Sequence, residues 1–86
     1  MTADLPQVAG GLEAYETDDG LVVYQEMADR VHHLNHTAAV ILDLCDGTRS
    51  PEEIAESVGQ IFGLPETPTT ETGDCLAHLA REHLIQ

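Results

Sequence analysis

Five histidines and two cysteines carry most of the reactive chemistry available to this 86-residue chain. Three of the histidines fall in the run His32-His33-Leu34-Asn35-His36; His78 and His83 lie near the C-terminus. A chelating pair needs both rings on one side of an element, as when two histidines sit one helical turn apart. His33 and His36 have that separation, but Asn35 between them is a helix N-cap candidate, so the pair straddles a strand-to-helix junction. Surface histidines around a strand edge are therefore expected, with no metal site. They remain the main groups able to titrate near neutrality. Cys45 and Cys75 stand thirty residues apart, each within an apolar helical pattern, the usual setting of buried reduced thiols. Ser50 is accounted for by helix capping and Ser57 by the polar side of an amphipathic helix. No nucleophile lies beside a base, and there is no Gly-rich phosphate loop or paired-cysteine motif. Neither catalysis nor a cofactor is expected, which leaves binding as the function class.

Sixteen acidic residues face three arginines and no lysine, a net charge of −13. A nucleic-acid binder needs a basic face to release counterions, so the charge argues strongly against that class. Electrostatics favour basic partners, such as a Lys/Arg-bearing peptide or a basic patch on an enzyme. Solubility alone would also account for the charge. No signal-peptide pattern opens the sequence and no window reaches the length of a membrane span, so a cytoplasmic protein without membrane contact is expected. Eighty-six residues allow one domain with a small core and a stability of about 5 kcal/mol.

Residues 1–11 hold breakers and no periodicity, and read as a flexible N-terminal arm. Residues 12–17 and 21–28 read as two strands of a hairpin around Asp19-Gly20. Residues 30–34 make a third strand, and the edges of such a meander are either covered or used. Asn35 caps a helix whose stretch 38–45 carries one charge, Asp43; a helix apolar nearly all round is a central one. Asp46-Gly47 ends it. Ser50-Pro51-Glu52-Glu53 is a capping box with Pro at the first helical position. Ile54, Ala55, Val58, Ile61 and Phe62 then share one face, and Gly63 stops the second helix. A Pro- and Thr-rich loop from Leu64 leads to a third helix, roughly residues 70–82, with the stripe Cys75, Leu76 and Leu79 extended by Thr72 and His83. Leu84-Ile85 pin the C-terminus to the core. The order β-β-β-α-α-α is that of an α+β domain, and its helix pair resembles a helix-turn-helix. A third strand beside a third helix makes a groove with an open hydrogen-bonding edge, where an extended peptide can add as a fourth strand.

Leu34-Asn35, Thr37-Ala38, Asp46-Gly47, Ser50 and Glu53-Ile54 follow one pattern: Leu-Asn-x-Thr-Ala, an apolar helix, Asp-Gly-x-x-(Ser/Thr), then Glu-Ile. In this pattern the chain resembles the PqqD-like proteins, or RiPP recognition elements, over about a quarter of its length. The order of elements extends the resemblance from Leu12 to Ile85. It implies a winged-helix-like fold, with a peptide-binding domain over residues 12–86. It also implies a peptide chaperone that binds the leader of a ribosomally made precursor and presents it to a modifying enzyme, often a radical S-adenosylmethionine protein. The leader would add against the third strand (Arg30, Val31, His32, His33, Leu34) and pack on the third helix (Cys75, His78, Leu79, Glu82). Residues 35–54 are then scaffold. Three positions depart from the family. His83 stands where Gly usually precedes the final apolar pair, and His32 where the family tends to be apolar. Gly73 lies within the third helix, at a cost of about 1 kcal/mol relative to Ala. Two rival readings are a small acidic adaptor docking by surface charge and a winged-helix DNA-binding regulator. Glu52, Glu53 and Glu56 on the would-be recognition helix oppose the second.

Overall fold

Alternation along three short strands sets the frame. A computed structural model describes residues 5–86. It holds β1 (Leu12–Thr17), β2 (Gly20–Gln25), β3 (Arg30–Asn35), α1 (His36–Leu44), α2 (Pro51–Ile61) and α3 (Thr69–Arg81). The sheet is antiparallel in the order β1-β2-β3. Its register pairs Ala14 with Val23 and Val23 with His32, and it pairs Gln25 with Arg30. Side chains of alternate residues therefore share a face across all three strands. Leu21, Val23 and Leu34 turn toward the helices, while Tyr15 and Val31 stand on the outer face and are exposed. Gly20 closes the hairpin with φ +148°; a side chain there would collide with the Leu34 carbonyl of β3.

β2 ends at Gln25, three residues before the expected end. A turn follows in which the Asp29 N–H donates to the Glu26 carbonyl (3.2 Å) with Asp29 at φ +51°. Met27 in that turn is fully open to solvent, so its β propensity gains nothing from packing.

The helix caps are those the residue types dictate. The Asn35 Oδ1 accepts the Ala38 N–H at 2.9 Å. The Glu53 N–H donates to Ser50 Oγ at 3.2 Å, and the Ser50 N–H donates to Glu53 Oε1 at 2.8 Å, a complete capping box. Those bonds from Ser50 hold the Glu53 carboxyl below the usual carboxylate range. On α2, Ile54, Ala55 and Val58 are buried, but Ile61 is 56% and Phe62 41% exposed, so the expected apolar face stops one turn early. The Leu64 N–H donates to the Gly59 carbonyl (2.9 Å) and the Gly63 N–H to that of Gln60 (3.3 Å), with Gly63 at φ +63°. This is a Schellman ending.

Ile41, Ile54, Val58, Leu79 and Leu84 form the centre of one core beneath the sheet, with Val23 from β2. Cys45 belongs to it; its Sγ donates to the Ile41 carbonyl at 3.1 Å, and burial pushes its pKa up to about 11. Thr72 is buried too, and its hydroxyl has no hydrogen-bond partner among the described residues.

Within the segment read as a flexible arm, residues 6–9 make backbone hydrogen bonds to the rest of the fold. The Val8 N–H donates to the Cys45 carbonyl (2.8 Å) and the Ala9 N–H to that of Leu84 (2.9 Å). The Gln7 carbonyl accepts from Gln86 N–H at 2.8 Å. Residues 6–9 thus strap the end of α1 to the C-terminus, because each meets backbone groups that no helix or strand satisfies. Residues 1–4 of the arm lie outside the described residues. No helix among the described residues is long and apolar enough to cross a membrane.

Candidate functional site

β3 is the last strand of the sheet, and its outer side meets no other strand among the described residues. Half of its backbone donors and acceptors therefore face away from β2. Alternation divides its side chains. Val31 is 55% exposed and His33 is also on the outer face. His32 and Leu34 turn inward, with His32 half-buried and Leu34 in the core. Because His32 and His33 point to opposite faces, they cannot serve one ion. Among the described residues no three His, Cys, Asp or Glu side chains are grouped to hold a metal.

α3 does not pack on this edge. The space between them is bridged at the C-terminal end of α3. There His32 Nδ1 stands 3.6 Å from Glu82 Oε1, and His32 Nε2 lies 3.1 Å from Gln25 Oε1. Gln25 Nε2 in turn donates to the Glu82 and His83 carbonyls, each at 3.4 Å. A hydrogen-bonded bridge of His32, Gln25 and Glu82 thus ties the sheet to the last turn of α3 and leaves the rest of the edge open.

Of the expected helix contacts, Cys75 is half-buried, His78 exposed and Glu82 partly exposed, all on the flank of α3. Burial pushes the Cys75 thiol pKa upward. Leu79 is the exception. It is 0% exposed and sits in the core, so its side chain does not line the gap. Leu34 is likewise core by its side chain and belongs to the edge only through its backbone. Both side chains lie away from the expected groove, each for its own reason: α1 packs on β3 and buries Leu34, while α1 and α2 pack under α3 and take the side of its stripe that holds Leu76 and Leu79.

Sequence reasoning missed Gln25, although a signal existed: it is the polar member of the inward set Leu21, Val23, Gln25. His83 takes φ +60° just past α3. The Leu84 N–H reaches the Leu79 carbonyl at 2.9 Å and the His83 N–H that of Ala80 at 3.1 Å. α3 thus ends as α2 does, with His in the left-handed position that Gly63 fills there. The departure at His83 changes the residue and keeps the geometry.

A cavity lies at the opposite edge of the sheet. It measures about 600 Å³ and is bounded by Ala14, Leu21, Ala39 and Leu42, with the carboxylates of Glu16 and Asp43.

The family profile described as "Coenzyme PQQ synthesis protein D (PqqD)" matches residues 20–85. No curated relative matches the sequence. Among solved structures, TbiB1 in complex with the TbiA(beta) leader peptide superposes with a TM-score of 0.77 at 20% identity, covering 93% of this chain and 94% of that one. Lasso peptide synthetase B1, complexed with the leader peptide, gives 0.71 at 19% identity, covering 94% and 96%. The PqqD truncation of Methylobacterium extorquens PqqCD, described as a functional, stand-alone RiPP recognition element, gives 0.70 at 23% identity, covering 95% and 88%. At these identities the likeness establishes a shared fold.

Proposed function

The chain belongs to the PqqD family, and from that premise we propose that it is a non-catalytic peptide chaperone binding the leader of a ribosomally synthesised precursor. The observation that carries this reading is the unpaired edge of β3, held apart from α3 and bridged to it at one end. An extended peptide adds there as a fourth strand. Its backbone pairs with residues 30–34, and its side chains meet Val31 or His33 on one face and Cys75, His78 and Glu82 on the other. The two leader-bound structural neighbours support the reading. The bound precursor is then presented to a modifying enzyme, a radical S-adenosylmethionine protein being the candidate class. A ribosomally made substrate places this work in the cytoplasm. The domain comprises residues 12–86 together with the strap of residues 6–9.

The test is an amide-shift titration of the labelled chain with the leader of the precursor encoded beside it. Backbone pairing predicts that amides of residues 30–34 shift and gain exchange protection. Shifts confined to residues 51–62 would instead support the charge-docking adaptor. Retention of duplex DNA at physiological salt would support the regulator, which the exposed Glu52, Glu53 and Glu56 of α2 disfavour.

A further inference from the structure

The net charge of −13 conceals a strong segregation. All five histidines and two of the three arginines fall in residues 30–36 and 78–83, where Glu82 is the single acidic residue. The rest of the chain holds fifteen of the sixteen acidic residues and one arginine, Arg49, which is paired with Asp46 at 2.8 Å. The fold brings these two segments to the two sides of the gap. Arg30 is the cross-strand partner of Gln25, about 5 Å away by strand spacing, and Gln25 donates to the Glu82 and His83 carbonyls. Arg30 therefore stands beside the last turn of α3, which carries His78 and Arg81. Of the carboxylates at this end, Glu82 is engaged by His32, Asp29 accepts from the Tyr24 hydroxyl at 3.2 Å on the outer face, and Glu26 lies exposed in the β2–β3 turn. Arg30 and Arg81 are exposed, and neither makes an ion pair among the described residues. Helix-dipole complementarity accounts for basic groups at the end of α3. It does not account for Arg30, which lies on the strand.

Resting on the strand-addition reading above, we infer that the leader segment seated on β3 is acidic, with carboxylates set against Arg30 and Arg81. Arginines without ion pairs, gathered at one edge of an acidic molecule, steer a carboxylate-bearing ligand there, while the acidic remainder repels it. An acidic segment is turned away from the remainder of this surface and accepted at the edge. Glu71 and Asp74 occupy the start of α3, so the carboxylates belong to the part of the leader beside its C-terminal half.

Two blocked decapeptides test this, one alternating Val with Glu and one alternating Val with Lys, each titrated into the full labelled chain. The Glu peptide is expected to shift amides of residues 30–34 and 78–83 and to bind there about tenfold more tightly than the Lys peptide. The double variant Arg30→Glu/Arg81→Glu, at two exposed positions, is expected to keep its circular dichroism and reverse the preference. If both peptides move β3 equally, or the Lys peptide binds β3 better, the acidic-leader inference falls while strand addition stands. If the preference survives the double variant, Arg30 and Arg81 are not its source and the inference falls as well. If neither peptide moves β3, strand addition and the inference fall together.

Discussion

Leu79→Ala separates scaffold from groove more sharply than any other single change. Leu79 is 0% exposed and lies at the centre of the core, although its helix flanks the candidate site. Truncation to Ala removes three carbons, worth about 2.4 kcal/mol at roughly 0.8 kcal/mol per buried methylene. The residual cavity adds a further term, so the total falls within about 2–5 kcal/mol. A domain of this length has only about 5 kcal/mol to lose. At about 4–8 °C per kcal/mol for this size, Tm should fall by at least about 10 °C. Circular dichroism melting and urea denaturation read that loss. Leader affinity is then measured well below the variant's Tm, where the chain is folded, and should equal that of the parent. A Tm shift of only a few degrees would refute the burial. A large loss of affinity in a folded sample would show that Leu79 contacts the peptide, and that α3 moves away from α1 and α2 on binding.

Ile41→Ala, mid-way along α1 and 1% exposed, should cost about 2–5 kcal/mol in urea denaturation and bring the domain close to unfolding. Thr72→Val should raise stability by about 1 kcal/mol, since it replaces a buried hydroxyl that lacks a partner with a methyl of similar shape. His83→Gly should also stabilise, by about 1 kcal/mol at most, because relief of the left-handed backbone at φ +60° is partly offset by Gly's greater freedom when unfolded. A thiol reagent at pH 8 should label half-buried Cys75 first and leave Cys45 unreacted until urea unfolds the chain, since burial holds the Cys45 pKa at about 11.

Local physics was legible in the residues. The caps at Asn35 and Ser50/Glu53, the hairpin at Asp19-Gly20 and the Gly63 stop need only neighbours within a few positions, so their chemistry specifies them without the rest of the fold. The order of strands and helices followed from the same signals, and the pattern from Leu34 to Ile54 carried the family. Contacts between distant segments were decided elsewhere. Cys75, Leu76 and Leu79 form one stripe on paper, and only the arrival of α1 and α2 assigns Leu79 to the core and leaves Cys75 at the flank. Ile61 and Phe62 continue the period of α2 yet remain exposed, because no element among the described residues covers its last turn. Residues 6–9 have no period, and are ordered by backbone groups at the ends of α1 and the chain. The charge is the clearest case. A sum over the sequence points to basic partners, yet Coulomb interaction depends on distance. Folding places residues 30–36 beside the end of α3, and so gathers Arg30, Arg81 and all five histidines at one edge of an acidic molecule.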